Sequence, residues 1–380
     1  MAGRAPGRAA GPLGRHRPRR RTMNAPLFFS ARPRIDLDGQ AADKMVRDLV
    51  RLEVHASTAG LSRLRAWLTA IGPVTGQADE GLQWLDGRLL HLGSELAVVV
   101  ADVPLFEGRV SCIGASFSQG TAPLAQLQAE DRLWDLRQTR RIRTWQDVDL
   151  AALARAIAAE HGLEADVDAR GPTWAELQQW NETDLALLRT RCALAGAELW
   201  MDGRTLRITP REARSAPALS LVMGNELLAL DIDADLAHQR SRVAISGFDA
   251  ADKDSVHEEA DEAELAGLAA GGTSGAQALG QAFGERATQR LHDAPLNREQ
   301  ARARARAEMQ ARSRRFVRAR GLTTGSPNMQ VGSALTLERL GPLFDGPGYV
   351  VTELTHTYDL QHGLRTAFVA ERGCILHGGG

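Results

Sequence analysis

The longest apolar run in this chain, around Leu96 to Val103, is only strand-sized. Nothing approaches the roughly 18 to 20 uninterrupted apolar residues of a bilayer-crossing helix, which argues against a membrane-spanning role. Cysteine is almost missing. Cys112, Cys192 and Cys374 lie far apart, with neither CxxC spacing nor a paired framework, so reduced thiols buried in a core, in a cytoplasmic setting, are expected. No sign of charge dominates either. With 46 Lys and Arg against 47 Asp and Glu the formal net charge is −1, so overall attraction to nucleic acid or acidic lipid cannot be argued from the sum. What the chain does have is core material: 43% of its 380 residues are hydrophobic and 24% charged, as in soluble globular proteins. Its length exceeds what one core usually organises, so two or more packed units are expected.

Residues 1–22 carry Arg4, Arg8, Arg15, Arg17, Arg19, Arg20 and Arg21 among Gly, Ala and Pro, without the apolar centre of a signal peptide. Met23 follows and reads as a natural start, so a disordered basic extension over residues 1–34 is the expectation. From Ile35 to about Gln128 the pattern is of short strands, including Leu96 to Val100, Arg109 to Ile113 and Ala115 to Ser118. One exception is expected, a helical insertion with Leu61, Leu64 and Leu68 at helical spacing.

The next block alternates helix and strand. Leu150, Leu153 and Ile157 share a helical face, and Gly162 sits where a helix ends in the left-handed conformation. A second helix carries Leu185, Leu188 and Cys192, with Asn181 as its expected cap, Asp184 in its first turn and Gly196 as its stop. Asp202-Gly203 then reads as a two-residue hairpin turn pairing Met201 with Arg204 and Leu199 with Leu206, which places Ala197, Leu199, Met201, Leu206 and Ile208 on one face. Further strands, "LLALDID" and "SRVAISGFD", precede an acidic run (Glu258, Glu259, Asp261, Glu262, Glu264) and a loose Gly-rich stretch that reads as a mobile connection. An Arg/Ala helix over about 298–320 leads into closing strands, the last two joined around Gln361 to Gly363.

Chemistry-bearing patterns are few. The Gly271 to Gly284 region lacks the lysine of a phosphate cradle, and no GxSxG elbow occurs. His356, Tyr358, Asp359 and His362 cluster at a hairpin, where sheet and turn roles outweigh a metal site. Carboxylate pairs converging from distant positions stay open. The arginines at 302, 304, 306, 312, 314, 315, 318 and 320 could follow a phosphate backbone, but only Phe316 is near to stack. A solvated helix face, with the acidic run as its electrostatic neighbour, is the preferred reading.

Two stretches resemble a known family. "QQWNETDLALLRTRCALAGAELWMDGRTLRI" is similar to the Asn-Glu-Ser/Thr-Asp-Leu-x-x-Leu segment, ending in Gly, of the phage late control protein D family, whose relatives include the hub region of VgrG. The matching residues are Asn181, Glu182, Asp184, Leu185, Leu188 and Gly196, followed by Asp202 and Gly203. The downstream "PLNREQARARARAEMQARSRRFVRARG" and the closing strands, with Gly348, Tyr349, His356 and Phe368, resemble the family's last domain. The resemblance spans about Ile35 to Arg372. It implies an α+β chain of two tube-like antiparallel β-barrel domains, near 35–130 and 219–372, with small α/β domains inserted over 131–218 and a tail at 373–380. It further implies a homotrimeric baseplate hub, neither enzyme nor cofactor carrier, assembled into a contractile phage tail or tail-like injection particle. Two similar domains in each of three copies would present six near-equivalent positions to a hexameric tail tube protein. A separate spike protein and other baseplate proteins complete the expected partners. A baseplate peptidoglycan hydrolase, and next a nucleic-acid-binding protein, are the alternatives.

Overall fold

The computed structural model describes residues 32–73, 80–169, 171–265, 267, 271–292 and 296–376. The basic extension expected over residues 1–34 falls almost entirely outside them. The chain is α+β and mostly strand, organised around one 13-stranded sheet. Its main path runs from Leu227–Ala234 through Val317–Thr324, Gly363–Arg372 and Gly346–Asp359 to Leu49–Ser57. It continues through Arg63–Thr69, Leu124–Glu130, Val103–Ser116, Glu95–Val100 and Arg34–Leu37 to Gln40–Ala41. Ala334–Glu338 pairs with Gly346–Asp359 and carries Ala218–Val222 as a side branch. No hydrogen-bonded pairing among the described residues closes either half into a barrel. The halves are joined instead where Gly346–Asp359 runs antiparallel to Leu49–Ser57, with His356 opposite Val54 and Tyr358 opposite Leu52.

Each half has its own core. Ile35, Leu52, Leu64, Leu68, Val98, Val110 and Leu127 fill the first, to which the distant Tyr358 and Leu364 also contribute. Leu221, Val317, Leu335, Tyr349, Val351 and Phe368 belong to the second. Between the halves in sequence lies a third core, where Leu150, Leu153 and Ile157 from helix Leu150–Glu160 meet Leu185, Leu188 and Cys192 from helix Asp184–Leu194 and Leu199, Leu206 and Ile208 from the hairpin. A fourth, unexpected core interrupts the second half. There the small face Ala301, Ala305 and Met309 of helix Arg298–Arg314 packs on Val243, Ile245 and Val256 of a three-stranded sheet.

Several local expectations changed. Residues 61–68 are not helical: Arg63–Thr69 is a strand burying Leu64, Ala66 and Leu68 in alternation. A spacing of four is a multiple of the strand period as well as one helical turn, so Leu64 and Leu68 alone could not separate the two. Arg109 to Ile113 and Ala115 to Ser118 are not two strands, since Val103–Ser116 runs unbroken through Gly114. In the hairpin, Asp202 pairs with Thr205 and Leu199 with Ile208, so the turn residues are Gly203 and Arg204. Only Gly203 of these two has positive φ, +56°, the sign pattern of a type II′ turn rather than I′. The pairing moves by two residues, which preserves parity, and the face assigned to Ala197, Leu199, Met201, Leu206 and Ile208 stands.

The acidic run is largely a strand, Asp254–Asp261, and the stretch read as a mobile connection holds helix Gly275–Phe283. That helix begins with a capping box between Ser274 and Gln277, which satisfies exposed amides at its first turn despite the surrounding glycines. The arginine helix ends at Arg314, and Val317–Thr324 is already sheet. Cys192 and Cys374 are buried, whereas Cys112 is exposed on the outward face of its strand, contrary to the core expectation for all three. Cys374–Leu376, within the expected tail, pairs with Gly272–Ser274.

Candidate functional site

The motif around residue 181 builds a buried polar knot. Thr183, not Asn181, caps helix Asp184–Leu194 through its side chain, while Asn181 takes a positive φ of 50° at the strand's irregular end. Asp184 is 1% exposed and receives four donors: Arg143 Nη2 at 2.8 Å, His161 Nε2 and Gln179 Nε2 at 2.9 Å, and Arg141 Nε at 3.1 Å. Burial by itself would raise its pKa, but the bonds from His161 and Gln179 and the two guanidinium charges hold it below the usual carboxylate range. The knot ties strand Arg140–Val148 to strand Trp174–Thr183 and to both helices. Leu185 and Leu188 face the core beneath it, and Gly196, φ +67°, ends the helix. Glu182 stands opposite Arg141 on the ribbon.

The closing motif has a similar structural logic. Arg372 is 2% exposed with no carboxylate partner among the described residues; it donates to the carbonyls of Cys374, Leu343, Phe344 and Asp345 and lies 4.3 Å from the Tyr349 ring centroid. Tyr349 in turn donates its hydroxyl to the Phe344 carbonyl, so one turn is held from two sides. Gly348, φ +97°, lets the chain pass beside the Arg372 side chain. Phe368 lies directly opposite Gly321 across the sheet and covers it.

The four residues considered for a metal take sheet and turn positions. His356 is buried, with Nδ1 2.9 Å from the Thr366 hydroxyl and Nε2 3.2 Å from the Met329 carbonyl, and burial pushes its pKa down to about 4. Asp359 accepts from the Gln361 and His362 amides and from His362 Nδ1, closing the hairpin turn. One relay not foreseen in the sequence is Ser246, whose hydroxyl is 2.8 Å from His257 Nδ1, with His257 Nε2 3.1 Å from Glu259. Ser246 and His257 are cross-strand neighbours on an open face, and the Ser246 backbone is paired on both sides. Backbone pairing on both sides argues against free amides at Ser246 for an oxyanion, and Glu259 is shared with Arg242. The arginine helix meets the acidic segment as expected, through Arg298 with Glu258 and Arg306 with Glu264.

A cavity of about 560 Å³ lies where the two halves and the hairpin meet, with Asp131, Trp200, Arg214, Met329 and His356 among its lining residues. Asp131, pushed up to about 6 by burial, accepts the Ser62 and Leu133 amides there. Arg214 stacks on Trp200 at 4.1 Å and pairs with Glu198. The Ser62 contact was not legible, because Ser62 and Asp131 are brought together from the ends of strands distant in sequence.

A model of the family described as the Alg8 N-terminal domain matches residues 100–359, more than half of the sequence. The chain belongs to the Alg8 N-terminal domain family. No curated protein matches it in sequence. Among solved structures, the 43 kDa tail protein of prophage MuSo2 from Shewanella oneidensis superposes with a TM-score of 0.67 at 15% identity, covering 90% of this chain and 99% of that one. A tail protein from Neisseria meningitidis MC58 gives 0.64 at 12% identity, over 90% and 97%. The E. coli c3393 protein, described as a type VI secretion component structurally similar to the T4 bacteriophage tail proteins gp27 and gp5, gives 0.52 at 11%, over 86% and 73%.

This member of the Alg8 N-terminal domain family therefore has the fold of phage tail hub-like proteins. The motifs from Asn181 to Phe368 pointed to that fold, although they did not point to the family model that matches. Of the motif residues, Asp184 anchors one structural knot and Gly348 and Tyr349 border a second around Arg372, while Asp202 and Gly203 lie at the hairpin and His356 and Phe368 elsewhere in the large sheet. Arg372 carried no signal of its own; an arginine two residues before a terminal strand is unremarked until the turn it holds is seen.

Proposed function

We propose that the chain is a structural baseplate hub of a contractile phage tail or phage-tail-like injection system, acting as a trimeric adaptor between a hexameric tail tube and a separate spike. The observation that carries this reading is the joined sheet. Seven strands from residues 34–130 and six from residues 218–372 run on continuously, and the path ends at two unpaired edges, Leu227–Ala234 and Gln40–Ala41. Edges of this kind offer rows of unsatisfied backbone donors and acceptors, which an assembly satisfies by adding strands from a neighbour. In this reading residues 35–130 and 219–372 are the two tube-like domains, so that three copies offer six near-equivalent positions, and the 131–218 insertion lies outside the tube. Full-length similarity to tail proteins supports it, because the likeness covers both halves and the insertions rather than one module.

Native mass spectrometry of the full chain tests the assembly: a three-fold species is expected, and a protein that stays monomeric at micromolar concentration contradicts the adaptor. Probing purified particles from the producing cells with an antibody to the chain tests its placement. Particles that lack the chain contradict a baseplate role.

A further inference from the structure

The ribbon of Arg140–Val148 and Trp174–Thr183 presents an outer face that nothing among the described residues covers. Ile142 and Trp180 stand directly opposite each other on it and are 74% and 73% exposed. An aliphatic and an indole side chain paired in water forgo burial worth about 1.5–3 kcal/mol each, which marks a surface that gains by being covered. Beside this pair opens a cavity of about 620 Å³, lined by Arg137, Gln138, Arg140, Thr183, Leu185, Ala186 and Arg189. None of its three arginines makes an ion pair among the described residues: Arg140 donates only to the Asn181 carbonyl, and the buried Arg189 Nε has no hydrogen-bond partner. The acidic group that acts on Arg189 is Asp131, whose oxygens already accept the Ser62 and Leu133 amides.

We propose that this face is a docking site for a different protein, one that presents carboxylate side chains next to an apolar residue. The carboxylates enter the cavity against Arg137, Arg140 and Arg189, and the apolar residue covers Ile142 and Trp180. Clustered Trp and Arg at the edge of a concave surface is the composition of protein-binding hot spots. A nucleic-acid strand fits less well, because a phosphate backbone needs a basic track that continues. Along the ribbon the outer pairs become Thr144 with Gln178 and then Gln146 with Glu176, so the positive surface stops within two pairs. A second copy of this chain fits less well too. Three of the five residues of its acidic run, Glu258, Glu259 and Glu264, are already paired with Arg298, Arg242 and Arg306.

The test is fluorescence anisotropy of the purified full chain at roughly physiological salt. The probes are a labelled peptide of about 12 residues built from Glu-Glu-Leu repeats, the same length of Lys-Lys-Leu and of Glu-Glu-Ser repeats, and an oligo-dT of similar length. Binding of the Glu-Glu-Leu peptide is expected, weaker with Glu-Glu-Ser and absent with Lys-Lys-Leu. Arg140→Glu and Arg137→Glu should each weaken it about tenfold or more, and Trp180→Ser at least about threefold. The Arg137 side chain makes no hydrogen bond among the described residues, so Arg137→Glu carries the test even if Arg140→Glu folds poorly. The proposal is overturned if the acidic peptide does not bind by about 1 mM, if the Arg137 and Trp180 variants bind it as the parent does, or if oligo-dT binds more tightly than the peptide.

Discussion

Replacing Asp184 by Asn keeps the shape of the side chain and removes its charge at the centre of the polar knot. Four donors then face an amide that can accept through one oxygen only and turns its own donors toward Arg141 or Arg143. Breaking a buried pair commonly costs about 3–5 kcal/mol. Here the loss is smaller, because Arg141 and Arg143 are 34% and 23% exposed and both retain Glu160, at 3.5 and 2.8 Å. The expected penalty is therefore about 2–4 kcal/mol, localised to the 133–208 core. A chain with four cores does not unfold in one step, so hydrogen exchange is the proper measure rather than a single melting temperature. Amides of Arg140–Val148 and Trp174–Thr183 should exchange about 30- to 700-fold faster in Asp184→Asn, with strands of the large sheet unchanged. The pH dependence follows from the sign of the shift. Asp184 has a folded pKa below its unfolded value near 4, so its stabilisation is complete above about pH 4 and is lost as pH falls through the folded pKa. Ribbon exchange in the parent should accelerate in acid toward that of the variant. Equal protection in both proteins at pH 7 would refute the account of the knot.

Three further outcomes are expected. A Cβ at Gly108 would overlap the Glu130 carbonyl oxygen, so Gly108→Ala should cost roughly 3 kcal/mol or more; one at Gly321 would overlap the Phe368 ring and crowd Leu227, so Gly321→Ala should cost about 1–3 kcal/mol, read from amide exchange of the flanking strands, and be partly rescued by Phe368→Leu. His356, at about 4 when folded against roughly 6.5 unfolded, leaves the unfolded chain binding more protons between those values. Stability of the strands around His356 should fall in the parent between pH 6.5 and 4 by on the order of 3 kcal/mol relative to His356→Gln, measured by amide protection across that range after correction for intrinsic exchange. Ser246 should resist a fluorophosphonate probe; stoichiometric labelling abolished by His257→Ala would revive the hydrolase alternative.

Much of the local architecture could be read from residue order. Helices Leu150–Glu160 and Asp184–Leu194, the face of the Ala197–Pro210 hairpin and the start of the arginine helix follow from periodicity and glycine stops, which act within a few residues, whereas the short helix Leu133–Arg137 was not foreseen. Where two periods coincide, as at Leu64 and Leu68, local pattern could not choose, and the strands flanking Arg63–Thr69 decided it. The acidic segment and the Gly275–Phe283 helix were obscured for a related reason. Their polar or glycine-rich composition suggests loop until a capping box or a partner strand is known.

The sequence by itself determined that this is a folded α+β chain with hub-like motifs, because core periodicity and turn chemistry are short-range properties carried by neighbours. Only the tertiary structure decided that the two halves share one sheet, that Asp184 gathers four donors, and that Ile142, Trp180 and three unpaired arginines meet at one surface. Those arrangements depend on which strands and helices meet in space, and partners separated by more than a helical turn or a strand repeat leave no periodic trace in the chain.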